Sequence, residues 1–344
     1  MKMVEVEMLP TTLKTKLSFI ITAKPNQNYE RPLRGINHLV ENHSFEWEII
    51  IAQGYNPSQQ RNEASLIASG DYLVFFDDDS FPQNDYIVYL MDAFRFEPDL
   101  AVVGGISEVE HDKSAFQKSI KYVFASVFGI GFLRARYTSI GKVRYSTEKE
   151  LIMSNLVVKR DAYFSVGGLN NNLFPNEENE LLNRLRKIGK ICYHPLLTVK
   201  RPPRKNLREL IYQMLSYGIG RTRHFLMVGK RSDLIYFIPA IFSLYLIFLP
   251  LLIMSFSKIS SFMLLPLMIY LILNLLASYF NFITIKNKSV AIRLPFLFFL
   301  CHISYGSGLV IGFFKKTKKN ESKEPIKLIS IYNGFELEEK MRKI

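Results

Sequence analysis

Short apolar runs separated by turn residues recur through the first two thirds of the chain, at residues 17–23, 47–52, 72–76, 101–103, 155–158 and 190–193. Each has the length of a strand, and helical patterns lie between them, so the alternation predicts an α/β domain with a mostly parallel, buried central sheet. Further on, Leu207, Leu210, Ile211, Met214 and Leu215 fall at i, i+3, i+4, i+7 and i+8, with Arg208, Glu209 and Gln213 on other faces. That spacing predicts an amphipathic helix over residues 206–228, lying either at a bilayer interface or against the core. Residues 120–133 form a second amphipathic candidate, with Phe124, Val127, Phe128, Ile130 and Phe132 between basic flanks.

After Asp233 the pattern changes. Residues 234–256 and 262–285 carry no charge, and at about 1.5 Å per residue each exceeds the ~30 Å of a bilayer's hydrocarbon. Residues 294–314 are also uncharged but include His302, Ser304, Tyr305, Gly306, Gly308 and Gly312. This third segment is expected to be either a span or a re-entrant, partly interfacial stretch, while the Gly308–Gly312 spacing reads as close helix packing. Four regions follow: an α/β domain over 1–205, an amphipathic helix and basic linker over 206–233, a membrane region over 234–314, and a basic, polar, weakly ordered tail over 315–344.

Charge orients this arrangement. The 344-residue chain has a net charge of +13, and residues 186–231 set twelve Lys/Arg against the single acid Glu209 just before the first span. An excess of Lys/Arg beside a span marks the cytoplasmic side, so the folded domain is expected in the cytoplasm and the chain in the inner (plasma) membrane as a multi-pass protein. Anionic lipid or a diphosphate suits this charge better than nucleic acid, since aromatic and basic residues interleave only around residues 217–225. Cys192 and Cys301 can form neither a disulfide framework nor a CxxC site, and the histidines, His111 among them, lack zinc-ligand spacing. Residues 1–16 carry too many charges for a secretory signal.

Two motifs carry chemistry. Residues 72–80 (YLVFFDDDS) are an apolar strand ending in Asp77, Asp78 and Asp79, at the sheet edge where α/β folds bind ligands. Clustered carboxylates repel one another, and a hard divalent cation, Mg²⁺ or Mn²⁺, bridging them to a diphosphate relieves that repulsion. A solvated acidic turn is the plainer alternative. Residues 175–180 (PNEENE) open a helix ending near Gly189, where acids would in any case complement the helix dipole. Neither a GxGxxG nor a GxxxxGK[ST] loop occurs.

These motifs resemble those of the family 2 glycosyltransferases with the nucleotide-sugar-binding GT-A fold, over roughly residues 17–225. The strand 18–23 (SFIITA) resembles the family's first strand, Arg61-Asn62-Glu63 its helix before the acidic strand, and Asp77 and Asp79 its Asp-x-Asp motif. The lead-in at residues 154–160 and 166–169 aligns Glu178 with the catalytic carboxylate. The resemblance implies Asp79, with Asp77, as metal ligands, and donor contacts from Thr22, Ala23, Gln53, Arg61, Asp77 and Asp78. Neutral Gln53 and the Lys24-Pro25-Asn26 turn depart from the family's usual base-pocket residues. Residues 217–223 (YGIGRTR) resemble the Gly-Arg-x-Arg ending of exopolysaccharide-assembly enzymes, which implies Arg221 and Arg223 as contacts to the acceptor or a diphosphate; a basic juxtamembrane anchor is the alternative, for Arg223 above all. Residues 128–134 could form an acceptor-side loop or pack in the core.

The resemblance implies an inverting, metal-dependent transferase. Its partners would be a nucleotide-sugar donor, the membrane and a lipid-linked glycan acceptor, with polyprenyl-diphosphate-linked glycan for surface polysaccharide as the expected acceptor and polyprenyl monophosphate as the alternative. A scaffold without activity would have no use for both acidic motifs.

Overall fold

The structure, a computed structural model, describes residues 12–110, 114–255, 260–285, 287–315, 325–332 and 335–342. His111, Lys286, most of residues 1–16 and the lysine-rich stretch 316–319 lie outside the described residues.

In chain order the elements are β1 (Thr12–Ala23), α1 (Glu30–Asn42), β2 (Ser44–Gln53), α2 (Pro57–Ile67), β3 (Tyr72–Asp77), β4 (Phe81–Pro82), α3 (Tyr86–Phe96), β5 (Leu100–Val109), α4 (Ala115–Ala125), α5 (Val127–Ile130), β6 (Arg144–Tyr145), β7 (Leu156–Lys159), α6 (Arg160–Ser165), α7 (Glu177–Leu185) and β8 (Lys190–Arg201). They continue with α8 (Leu207–Val228), α9 (Ile238–Ser255), α10 (Ser260–Met263), α11 (Leu265–Thr284), α12 (Lys288–Ala291), α13 (Leu294–Phe314), β9 (Ile326–Tyr332) and β10 (Phe335–Arg342). All six strands expected from the apolar runs are present.

The sheet is mixed, in the order β10-β9-β2-β1-β3-β7-β5-β8-β4, with β6 on β8. Its core is parallel: β1 pairs in parallel with β2 and β3, and β5 with β8. Strand β7 runs antiparallel between β3 and β5. Alternation along β1 sends Leu17, Phe19 and Ile21 to one apolar layer and Ile20 to the other. The register sets Ala23 beside Gln53 and Thr22 beside Asp77, so the carboxyl ends of β1, β2 and β3 share one edge.

Three expectations need correcting. Residues 120–133 are not one helix: α4 ends at Ala125, Ser126 is extended, and its hydroxyl accepts from Phe128 N to start the separate turn α5. The far C-terminus is not weakly ordered: β9 pairs antiparallel with β2 and β10 with β9. Ile326 and Leu328 join one core layer and Ile329 and Ile331 the other, the period-2 pattern of an interior strand. Residues 294–314 are not broken by their glycines, because α13 is one uninterrupted helix.

Those glycines serve close approach. A Cβ at Gly308 would stand 2.3 Å from the Leu215 carbonyl oxygen of α8, and one at Gly306 would stand 2.1 Å from the Pro239 carbonyl oxygen of α9. The packing alternative for α8 also holds: its Leu210 and Met214 bury against Ile120, Phe124, Leu294 and Phe298. Cys301 belongs to this cluster and Cys192 to the sheet core, both as free thiols. Among the described residues, three helical stretches are long and apolar enough to cross a membrane, Asp233–Ser255, Leu265–Thr284 and Lys288–Phe314; the third is the most buried within the protein.

Candidate functional site

The turn after β3 is fixed from its backbone. Ser80 N donates to the Asp77 carbonyl at 3.0 Å, Asp77 N donates to Ser80 Oγ at 3.1 Å, and Arg31 Nε donates to the Asp79 carbonyl at 2.8 Å. The carboxylates so presented face arginines. Arg61, on α2 and 3% exposed, reaches Asp77 Oδ1 at 2.7 Å and Glu177 Oε1 at 2.9 Å. Arg201, the last residue of β8, reaches Asp79 Oδ1 at 2.6 Å, Asp79 Oδ2 at 3.1 Å and Asp77 Oδ2 at 3.0 Å.

This environment divides the three acids. Burial opposes ionisation of Asp77, but Arg201 and Arg61 outweigh it and hold its carboxyl below the usual range. Asp78 has no such fork, and burial, then Asp79 and Asp77, push it up to about 6. Oxygen donors of this kind fit a hard cation, which takes one or two carboxylates and completes its shell with phosphate and water. Among the described residues, no group of three His, Cys, Asp or Glu side chains is placed to hold a metal by itself.

The second acidic motif starts at Asn176, whose φ of 90° lies in the left-handed region that Asn tolerates better than most residues. From that turn, α7 buries Glu177, Glu178 and Glu180, each against its own arginine. Glu180 pairs with Arg184, which also donates to the Gly168 carbonyl at 2.7 Å, a structural role away from the cavities. Glu177 meets Arg61, and burial together with Glu178 pushes its carboxyl upward. Glu178, 7% exposed, accepts from Arg136 Nη1 at 3.0 Å. Arg136 in turn donates to the carbonyls of Glu148 and Lys149 and to Asn179 Oδ1 at 2.7 Å.

Two cavities meet here. A polar one of about 470 Å³ lies at the ends of β1, β2 and β3, lined by Thr22, Ala23, Lys24, Gly54, Tyr55, Gln60, Arg61, Asp77, Asp78, Asp79 and Arg204. An apolar one of about 570 Å³ runs from Asp77, Glu177 and Glu178 along α8 to the helices beyond it, where Tyr236, Phe242, Tyr270, Leu273 and Tyr305 line it. Arg61, Asp77, Tyr137, Arg201 and Tyr217 border both.

Most of the expected residues converge here. Gln53 does not line the polar cavity; it pairs through the backbone with Ala23 on one side and Lys327 on the other. Gly54, Tyr55 and Gln60 take that position, and the Gln60 amide donates to the Ala23 and Ala52 carbonyls at 2.7 and 2.5 Å. Arg221 enters the apolar cavity, its guanidinium 4.5 Å above the Tyr236 ring and its Nε without a hydrogen-bond partner. Arg223, two residues on, lines neither cavity. Residues 128–133 border the apolar cavity, fastened by His302 Nε2 at 2.8 Å from the Phe128 carbonyl. Arg136 and Arg201 escaped sequence reading. Only the Arg201-Pro-Pro-Arg204 cluster at a strand end hinted at the second.

Comparison with known proteins agrees with these motifs. Residues 38–164 match the family described as Glycosyl transferase family 2, a span that contains Asp77–Asp79 and ends before Glu177. Succinoglycan biosynthesis protein ExoA of Rhizobium meliloti (strain 1021) is 31% identical over 183 residues, 51% of this chain and 52% of that protein, so this chain spans about half the length of that relative. Among solved structures, the mannosyltransferase PcManGT from Pyrobaculum calidifontis, in complex with GDP-Man and Mn²⁺, matches with a TM-score of 0.47 and 12% identity over 86% of this chain and 88% of that one. S. aureus TarS 1-349 matches with a TM-score of 0.36 and 10% identity over 63% and 73%.

Proposed function

Starting from the match of residues 38–164 to Glycosyl transferase family 2, we propose an inverting transferase that moves a sugar from a nucleotide-diphosphate donor to a membrane-associated glycan acceptor. The acceptor is polyprenyl-diphosphate-linked, and the setting is surface polysaccharide synthesis. One observation carries this reading: a polar cavity at the strand ends and an apolar cavity against the membrane helices adjoin at Arg61, Asp77 and Arg201, with Glu177 and Glu178 on the apolar side. A water-soluble, charged donor and a lipid acceptor can react only where two such surfaces meet.

The donor lies in the polar cavity, its nucleoside against Thr22, Ala23, Tyr55 and Gln60 and its diphosphate toward Asp77–Asp79, Arg201 and Arg204. The acceptor hydroxyl enters from the apolar side. Glu178 Oε1 is engaged by Arg136, and Oε2 takes the hydroxyl proton as the new glycosidic bond forms and the bond to the diphosphate breaks. Attack from the face opposite the leaving group inverts the anomeric centre. Asp79 with Asp77 would hold Mg²⁺ or Mn²⁺, which when bound neutralises the charge left on the departing diphosphate. On the acceptor side, Arg221 offers a buried guanidinium stacked on Tyr236 to the lipid's phosphate. Arg223 lies off the cavity, so the Gly-Arg-x-Arg ending supplies it with Arg221 alone, which favours a second reading, transfer to polyprenyl monophosphate.

Strand β9 supports a membrane disposition as part of this proposal. Because it pairs with β2, residues 326–332 share a side of the bilayer with the catalytic sheet, and an even number of crossings separates the two. We assign the crossings to α9 and α11. Helix α13, packed on α8 and α4, lies at the cytoplasmic interface beneath the catalytic domain. The test is transfer of labelled sugar by the purified chain in nanodiscs to polyprenyl-diphosphate-linked glycan and to polyprenyl monophosphate, with the anomeric configuration of the product read by NMR. Product from the diphosphate-linked acceptor alone supports the first reading, and retention of configuration refutes the single displacement.

A further inference from the structure

Every side-chain oxygen of the two residues assigned to the cation already lies against a guanidinium. Asp77 Oδ1 is held by Arg61 at 2.7 Å and Asp77 Oδ2 by Arg201 at 3.0 Å. Both oxygens of Asp79 are held by the Arg201 fork, at 2.6 and 3.1 Å. Arg61 is fixed between Asp77 and buried Glu177, so it has no other place to go. Arg201 differs. Its side chain is 23% exposed, it borders both cavities, and the partners that hold it are the two aspartates.

We propose that Arg201 is a resident counter-charge that a divalent cation must displace from Asp79, and that it moves onto the donor's diphosphate when the cation enters. The proposal rests on the donor-site reading above. A guanidinium fork matches a carboxylate and a phosphate equally well, so the two anions can exchange it without leaving it unpaired. The cation alone offers Arg201 no new partner, and the nucleotide alone finds the fork occupied. Cation and nucleoside diphosphate therefore bind with strong mutual dependence, and by linkage each strengthens the other by the same factor. Arg201 is a positioning residue that confines the cation to the donor-loaded site.

Manganese titration of the full chain in nanodiscs tests this, with free Mn²⁺ read by electron paramagnetic resonance, without nucleotide and with UDP or GDP. Wild type should bind Mn²⁺ weakly alone and about tenfold or more tightly with the matching nucleotide, a factor equal to about 1.4 kcal/mol or more. In Arg201→Met, Mn²⁺ alone should bind about tenfold more tightly than in wild type, and the gain from nucleotide should largely vanish. Arg208→Met controls for the loss of one positive charge, because Arg208 lines neither cavity; its Mn²⁺ affinity should stay within about twofold of wild type. Arg201→Lys keeps the charge without the fork and should fall between. If Arg201→Met binds Mn²⁺ no more tightly than wild type while its melting temperature is unchanged, or if Arg208→Met shifts it equally, the displacement is refuted. Because Mn²⁺ binding is read without turnover, that failure is separate from any failure to transfer sugar.

Discussion

Glu178→Gln removes the proposed base while leaving an oxygen of the same shape for Arg136. Losing a general base lowers turnover by about 10²–10⁴-fold, or about 3–5 kcal/mol of barrier. The structural cost is smaller. Arg136 keeps the Glu148 and Lys149 carbonyls and Asn179, so weakening one charge-assisted bond at 3.0 Å should cost about 1–3 kcal/mol of stability. Donor affinity should change little, because Glu178 borders only the apolar cavity. The assay is the initial rate of label transfer at saturating donor, with nucleotide affinity and melting temperature measured on the same preparation. Glu177→Gln is the paired control. It loosens Arg61, which faces the donor, and should raise KM more than it lowers kcat. If Glu178→Gln keeps more than about a tenth of wild-type turnover, or if Glu177→Gln is the silent enzyme and Glu178→Gln is not, the base has been assigned to the wrong residue.

Asp79→Ala should abolish transfer and cation-dependent nucleotide binding, and full wild-type activity in excess chelator would remove the cation from the account. Gly308→Leu places a Cβ 2.3 Å from the Leu215 carbonyl and should destabilise the α8–α13 contact by about 1–3 kcal/mol or more; an unchanged melting temperature contradicts that packing. Burial lowers the pKa of His194, Asp92 opposing, and its Nε2 sits 3.0 Å from Asp92 Oδ2. The unfolded chain therefore takes up the proton first as pH falls below about 6.5, and the stability lost between there and the lowered folded value should be missing from the pH profile of His194→Gln. Parallel profiles would rule this out. A cysteine at Lys315 should react with a membrane-impermeant reagent only from the cytoplasmic side, and labelling from outside alone would mean three crossings.

The sheet was legible because its interior strands are apolar runs that need no tertiary context. Strand β9 was not, although Ile326, Leu328, Ile329 and Ile331 show the same pattern, because it follows a lysine-rich stretch and its partner β2 is far away in sequence. Helix packing was legible at Gly308 and Gly312, where small residues at helical spacing have one common use. The glycines of α13 misled in the other direction: an isolated helix carrying Gly306, Gly308 and Gly312 is weak, and contact with α8 and α9 overrides that propensity. In the site, Asp77–Asp79 stood out as a run of acid at a strand end, whereas Glu178 stood out only through the family resemblance, because acids in a first helical turn have a common use in complementing the dipole. Arg136 and Arg201 did not, since what distinguishes them from other surface arginines is which carboxylates they meet, a property of the fold.

The reading rests on two cavities that bring a nucleotide sugar and a membrane lipid together at Asp77. Its most direct test incubates membranes containing the chain with a panel of radiolabelled nucleotide sugars and follows the label into the lipid extract. The account predicts that label from one donor enters the lipid with wild type, and that Glu178→Gln membranes with equal amounts of folded protein give about 10²-fold less or lower. Label confined to free sugar, or lipid labelling equal in wild type and Glu178→Gln, would contradict it.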